Sequence, residues 1–112
     1  MGRLDNRKII LMADDDPDDF FLVREALRQG AIDYEFRMVS DGEELLDYLL
    51  NRGKYEKRNG NPRPAIILLD LNMPKMDGRQ ALAEMKANPD IREIPVIVLT
   101  TSGSTEDIHF LL

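Results

Sequence analysis

Two short apolar segments of this chain each end on acidic residues, and this pattern constrains the fold more than any other feature. Residues 9–13 (Ile-Ile-Leu-Met-Ala) run into Asp14, Asp15 and Asp16, and residues 65–69 (Ala-Ile-Ile-Leu-Leu) run into Asp70. Runs of this length and composition are typical of strands buried on both faces, as in a parallel sheet. Because parallel strands end at one edge of a sheet, we expect the acids of both segments to share one site there.

Composition narrows the class of protein and of site. The 112 residues, 43% of them hydrophobic and 32% charged, suffice for one globular domain spanning residues 1–112. The formal net charge of −6 argues against binding of a nucleic-acid backbone. The lack of cysteine excludes disulfides and thiolate chemistry, and the single histidine, His109, cannot build a multi-histidine metal centre. No apolar run approaches the roughly 18 residues of a membrane span, so we expect a cytoplasmic protein with no membrane partner.

Alternating strand-like and helix-like segments predict an α/β fold. Apolar or β-branched runs indicate strands at residues 8–14, 34–39, 65–70 and 94–99. Helices are expected at residues 17–30, 41–53, 79–87 and 104–112. This β-α-β-α-β-α-β-α order is typical of a doubly wound parallel sheet with helices on both faces.

Local signals predict how the helices begin and which face they bury. Asp16 is expected to cap the first helix, and Ser40 with Glu43 forms a capping-box pattern before the second, which Gly53 should end. The first helix is expected to bury one apolar stripe, Phe20, Val23 and Leu27.

The strand ends also suggest a chemistry. Mg²⁺ prefers oxygen ligands, which Asp15, Asp70 and a backbone carbonyl just after Asp70 can provide, while Asp14 acts through water. A carboxylate beside Mg²⁺ can attack a phosphoryl group and become an aspartyl phosphate. The hydroxyl of Thr100, at the end of the fourth strand, is placed to bond one phosphoryl oxygen.

Each of these residues also has a simpler interpretation. Asp14 and Asp15 can form a solvated turn, and Thr100 with Thr101 can be ordinary strand formers. Most of the other acids near the strand ends are explained as helix caps or first-turn residues: Asp16, Asp18, Asp19 and Asp77. The basic residues of the irregular stretch 54–64 are best explained as a solvated loop, and His109 as a packed or exposed helix residue.

The pattern resembles a response regulator receiver domain, of the CheY-like, flavodoxin-like fold with strand order 2-1-3-4-5. The resemblance covers essentially the whole chain and rests on the acidic pair after strand one, Asp70 after strand three, and Thr100 after strand four. The loop residues Asn72, Pro74 and Gly78 complete the motif. The acids Asp14, Asp15 and Asp16 before Pro17, with the long loop at 54–64, resemble the stand-alone receivers that partner bacteriophytochrome-type kinases.

The resemblance implies a role for each matched residue. Asp70 would be the phosphoacceptor, with a sensor histidine kinase as phosphodonor and an unknown downstream protein as the partner that is switched. Asp15 would bind Mg²⁺ directly, Asp14 through water, and Asn72 through its carbonyl. Thr100 would be the switch hydroxyl, with Thr101 beside it. Such a domain assists its own phosphotransfer and dephosphorylation but is not a turnover enzyme.

One departure from the family concerns the end of the chain. Receivers have a fifth strand and helix, and a lysine at the end of that strand pairs with the phosphate. No residue here matches that lysine, and Lys75 lies on the wrong loop to replace it. We therefore expect a sheet of order 2-1-3-4 with strand 5 and helix 5 absent, and self-association through the exposed edge of strand four.

Two other functions compete with the phosphorylated switch. An inert or self-associating receiver fragment would have the acids but no activity. A phosphohydrolase with an aspartate nucleophile usually needs a general acid two residues after the nucleophile, where this chain has Asn72.

Overall fold

The computed structural model describes residues 8–30, 33–56, 62–73, 75–102 and 105–108, and from residue 100 onward the backbone alone. Within these ranges the element order is β1-α1-β2-α2-β3-α3-β4-β5, with a 3₁₀ turn at Gly53–Tyr55 after α2. The strands are β1 Lys8–Ala13, β2 Tyr34–Val39, β3 Ile66–Asp70, β4 Val96–Ser102 and β5 Thr105–Ile108. The α-helices are α1 Pro17–Gln29, α2 Gly42–Leu50 and α3 Gly78–Ala87.

The sheet has the strand order β2-β1-β3-β4-β5, and its first four strands are parallel. The predicted order 2-1-3-4 is therefore confirmed. Ala13 of β1 lies opposite Leu69 of β3, and Asp70 of β3 lies opposite Leu99 of β4. This register brings the carboxyl ends of β1, β3 and β4 to the same edge of the sheet.

The end of the described chain differs from the prediction. Residues 105–108 form β5, which pairs antiparallel with β4 from Leu99↔Ile108 to Ser102↔Thr105. The prediction of a helix beginning at Ser104 is therefore wrong. The pair Gly103-Ser104 follows a β-branched run and precedes Thr105–Ile108, which has a strand former at each end. A Gly-Ser pair between two such segments is a hairpin signal that a helical interpretation overlooks. The edge of β4 is thus not bare as expected, because β5 pairs with its last four residues.

The main core lies between the sheet and the two helices α2 and α3. Every second residue of the central strands points to this face and is buried: Leu11, Ala13, Ile67, Leu69, Val96 and Val98. Leu45 and Leu46 of α2 and Ala81 and Met85 of α3 close the layer from outside. No described helix is both long and apolar enough to cross a membrane.

The opposite face of the sheet is covered less completely. α1 lies on this face, where the ring of Phe20 stacks on Phe36 of β2 with 4.5 Å between centroids. Its predicted apolar stripe is only half-buried, because no second helix packs beside α1 in the described part of the chain. Phe21 and Leu22 of α1 are more than half exposed, at 57% and 58%.

The start of α2 lies one residue away from the predicted capping box. Asp41, not Ser40, is the N-cap, and its Oδ1 accepts the N–H of Glu44 at 2.7 Å. Glu44 in turn accepts the N–H of Ser40 at 2.7 Å, which gives a reciprocal arrangement displaced by one position. The helix ends at Leu50, followed by Asn51 in the left-handed region, so Gly53 begins the 3₁₀ turn instead of ending α2.

The two faces of the sheet differ in burial, so shortening a side chain should lower the free energy of unfolding by different amounts on each. Leu69→Ala, at a fully buried position, should lower the free energy of unfolding by about 2–5 kcal/mol, because it leaves a cavity. The matched change Leu22→Ala on exposed α1 should alter it by less than about 0.5 kcal/mol. Urea denaturation followed by circular dichroism compares the two, and equal costs would contradict the assignment of the core.

Candidate functional site

Two neighbouring parallel strands bring their terminal acids together. Asp14 follows β1, and its N–H extends the ladder by donating to the Val39 carbonyl of β2 at 3.0 Å. Asp70 is the last residue of β3. Since Ala13 and Leu69 are register partners, the residues that follow them, Asp14 and Asp70, lie side by side. The prediction that both apolar runs end at one edge is confirmed.

Three carboxylates form a cluster at this edge. One oxygen from each of Asp14, Asp15 and Asp70 lies within 4.8 Å of the others. Asp14 is buried at 3% exposure, Asp70 is half-buried and Asp15 is exposed. A divalent cation with metal–oxygen distances of about 2.1 Å spans oxygens about 4 Å apart, so small side-chain movements would bring these three around one ion. The cluster therefore fits a divalent cation through hard oxygen ligands.

Burial places Asp14 under electrostatic strain. Loss of hydration raises the pKa of its carboxyl from 3.8 to about 7, helped by a hydrogen bond with Asp19 and by the charge of Asp70. The N–H of Asp16 donates to Asp14 Oδ1 at 2.8 Å and opposes this rise. Asp16 itself caps α1 by accepting the N–H of Asp18 at 2.9 Å, so its predicted capping role is confirmed.

Asp70 is held by the backbone of its own loop. The N–H of Asn72 donates to Asp70 Oδ1 at 3.0 Å, which fixes the orientation of the carboxylate. Burial raises the pKa of Asp70, this N–H lowers it, and the charges of Asp15 and Asp19 raise it further. The raised pKa values of Asp14 and Asp70 thus favour binding of a proton or a cation at these two carboxyl groups.

The sequence interpretation missed the part played by Asp19. From sequence alone, Asp19 is explained as an acid in the first turn of α1, where the helix dipole favours acids. The structure places its side chain close enough to hydrogen-bond with Asp14, and its charge raises the pKa of both Asp14 and Asp70. The available signal was an acid in the first turn of a helix that begins two residues after an acidic strand end.

The loop after Asp70 is packed closely against two glycines. A β-carbon at residue 78 would collide with the carbonyl oxygen of Asp70, and one at residue 42 with that of Met76. Gly42 also donates its N–H to the Met76 carbonyl at 2.9 Å, which ties the loop to the start of α2. Side chains at either position would displace the loop that carries Asn72.

Two further residues of the loop after Asp70, Asp77 and Lys75, each contact the start of a helix. Asp77 caps α3, as predicted, by accepting the N–H of Gln80 at 2.9 Å. Lys75 Nζ lies 3.8 Å from Asp41 Oδ2, so it pairs with the start of α2.

The hydroxyl residues predicted for the site are only partly described. Thr100 follows Leu99, the register partner of Asp70, so its backbone lies beside the cluster. The side chains of Thr100 and Thr101, and all of Pro74 and His109, lie outside the described residues. The roles of both threonines and of the Asn72 carbonyl stay predictions.

The raised pKa of Asp14 predicts how stability depends on pH without divalent cations. The folded state holds a proton on Asp14 up to about pH 7, whereas the unfolded chain releases it near 3.8. The stability that this bound proton gives the folded state is full below pH 3.8. It is lost as the pH rises to 7, at up to about 1.4 kcal/mol per pH unit. Denaturation in EDTA at several pH values should show this loss, and Asp14→Asn should remove it. An unchanged slope in that variant would contradict the assignment.

Comparison with known proteins identifies the family. A family model described as the response regulator receiver domain matches residues 10–112. Response regulator Rcp1 of Synechocystis sp. is 48% identical over 101 residues, which are 90% of this chain and 67% of Rcp1. The chain therefore spans about two thirds of the length of that relative.

Solved structures of high similarity share the fold. The crystal structure of the phosphorylated cyanobacterial phytochrome response regulator RcpA has a TM-score of 0.76 and 43% identity, covering 88% of this chain and 68% of that one. The Mn²⁺-bound form of response regulator Rcp1 has a TM-score of 0.76 and 47% identity, covering 87% and 68%. Together with the acidic cluster, these matches show that the chain belongs to the family of response regulator receiver domains of two-component systems.

Proposed function

We propose that Asp70 accepts a phosphoryl group from a phosphohistidine of a sensor kinase, with Mg²⁺ bound by the acidic cluster. The observation that carries this proposal is the convergence of Asp14, Asp15 and Asp70 within 4.8 Å at the end of β3. Two family members support it, one solved in a phosphorylated form and one with bound Mn²⁺. The carbonyl of Asn72 is proposed as the third direct protein ligand, beside Asp15 and Asp70, with Asp14 acting through water.

The residues of the chain position the acceptor for in-line attack. A bond forms between a carboxylate oxygen of Asp70 and phosphorus, the P–N bond of the phosphohistidine breaks, and the imidazole nitrogen keeps its electron pair. The N–H of Asn72 at 3.0 Å holds Asp70 in one orientation, so less freedom is lost on reaction. A bound Mg²⁺ supplies positive charge that offsets the negative charge of the carboxylates and of the phosphoryl oxygens.

The threonines and Asn72 are proposed to respond to the phosphoryl group. The hydroxyl of Thr100 would move toward a phosphoryl oxygen, with Thr101 beside it, and this movement would alter the binding of a downstream protein. Asn72 and Ser102 lie two residues after Asp70 and Thr100, positions that we propose tune phosphoryl lifetime. The position of Thr100 beside the strand pair Asp70↔Leu99 supports this assignment.

Further proposals concern partners and setting. A kinase of the bacteriophytochrome type is favoured because the relatives include a phytochrome response regulator. We propose a cytoplasmic protein in which residues 1–112 act as one receiver domain and not as a turnover enzyme. A phosphohydrolase is disfavoured because Asn72, not an acid, follows Asp70 by two residues.

Phosphorylation should depend on Asp70 alone among the acids of its loop. Incubation with Mg²⁺ and acetyl phosphate should add one phosphoryl group, sensitive to hydroxylamine, as detected by intact-mass spectrometry. Asp70→Asn should abolish the addition. The matched control Asp77→Asn, which retains a helix-capping side chain, should leave it intact. Full uptake by Asp70→Asn would refute the assignment.

Divalent cations should stabilise the folded chain through the cluster. Mg²⁺ at 100 times its dissociation constant should raise the free energy of unfolding by about 2.7 kcal/mol, and beryllofluoride, which mimics a phosphoryl group, should raise it further. Asp15→Asn should weaken the response to Mg²⁺, since it removes the exposed ligand. Thermal denaturation measures both effects. If neither Mg²⁺ nor beryllofluoride changes the thermal stability of the unaltered chain, the interpretation as an inert fragment is favoured.

A further inference from the structure

We infer that the chain forms a symmetric dimer by antiparallel pairing of β2 with β2 of a second copy, centred on Phe36. In the described sheet β2 is the edge strand, with β1 on one side and no described strand on the other. Exposed edge strands are commonly blocked by charged side chains, above all lysine, by proline or by a bulge. Tyr34–Val39 has no proline or lysine, its two charged residues are of opposite sign, and its unbroken one-to-one register with β1 leaves no bulge.

The backbone sets which residues can bond to an added strand. The carbonyl of Val39 points inward, because it accepts the N–H of Asp14. Since backbone groups alternate along a strand, those of Arg37 and Glu35 also point inward, and those of Tyr34, Phe36 and Met38 point outward. Two copies related by a two-fold axis at Phe36 would therefore exchange both of its backbone hydrogen bonds.

The side chains favour this register over its neighbours. With Phe36 opposite its own copy, Glu35 lies opposite Arg37 of the second copy, and Tyr34 lies opposite Met38. Moving the centre to residue 35 places two glutamates opposite each other, and moving it to residue 37 places two arginines opposite each other. Opposite charges across a strand pair stabilise it and like charges destabilise it, so the centre at Phe36 is selected.

Contacts within one copy prepare this edge for a second one. Glu35 and Arg37 form an ion pair at 2.7 Å, and Arg37 donates to the Tyr48 hydroxyl at 3.1 Å, so both charges lie on the α2 face. In the dimer, each carboxylate would lie between two guanidinium groups. The two charges of one copy complement those of the other without any change of position.

The α1 face leaves space for the partner strand. A cleft of about 270 Å³ lies between α1 and β2, beside Phe36 and beside Tyr34, which is 38% exposed. The stacked rings of Phe20 and Phe36 form its wall. Side chains of an added strand can therefore pack on aromatic surface. Because only one six-residue strand contributes the backbone contacts, we expect weak dimers that form at high protein concentration.

Charge reversal tests the pairing directly. In sedimentation velocity the unaltered chain should shift from monomer to dimer as its concentration rises. Glu35→Arg alone and Arg37→Glu alone should each lose this shift, because like charges then face each other. An equimolar mixture of the two variants should regain it as a heterodimer, and so should the double variant Glu35→Arg/Arg37→Glu.

Cross-linking tests the register and does not depend on the charge variants. The chain has no cysteine, so single substitutions report cleanly. Phe36→Cys places two sulfurs on opposed residues whose Cα atoms lie about 5.5 Å apart, within disulfide range. In the control Tyr34→Cys, the two cysteines lie four residues out of register, so their sulfurs are about 13 Å apart. Oxidation should cross-link the first variant and not the second.

Three results would overturn the inference. The first is an unaltered chain that remains monomeric at all concentrations. The second is a Glu35→Arg variant that associates as strongly as the unaltered chain. In the second case association would use another surface, such as the far edge of the sheet. Equal cross-linking of the two cysteine variants would exclude a register centred on Phe36.

Discussion

Burial of acidic side chains side by side at the end of two parallel strands is the constraint on which the rest of the site depends. The buried strands β1 and β3 cannot separate without opening the core, so Asp14 and Asp70 are held side by side. Loss of hydration, helped by the charges of neighbouring acids, raises the pKa values of both groups. A site of this kind is stabilised by a bound cation and accommodates a further anionic group only when that cation is present. In the proposed function, affinity for a cation and readiness for phosphoryl chemistry therefore share one physical origin.

The surrounding loops convert this edge into a defined site. Asp16 turns the chain into α1 directly after the acids, and this turn returns Asp19 to the cluster. On the other side, the loop after Asp70 has no space for side chains at Gly78 and Gly42, where backbone meets backbone. Because Gly42 begins α2, a displacement of the loop would also move that helix. This contact links the loop after Asp70 directly to the start of α2.

Much of this arrangement could be predicted from sequence because it depends on local patterns. Buried strands, the Asp16 cap and the acids at the strand ends all follow from composition and spacing, while the strand order came from family resemblance. The other features depend on neighbours distant in sequence. Asp19 looks like an ordinary first-turn acid until the fold places it beside Asp14. The half-burial of α1 reflects what packs beside it, and Ser40 and Asp41 are equally good caps until geometry selects one. At residues 105–108 strand pairing outweighed a weak helical preference.

Proton release on cation binding is the most direct measurement of the central claim. If Asp14 holds a proton because it is buried beside other acids, Mg²⁺ or Mn²⁺ bound at the cluster must displace that proton. Isothermal titration near pH 7, repeated in buffers of different ionisation enthalpy, should show release of about half a proton per cation. The release should fall toward zero at higher pH, and Asp14→Asn should remove most of it. Cation binding without proton release, or release unchanged in Asp14→Asn, would contradict the account.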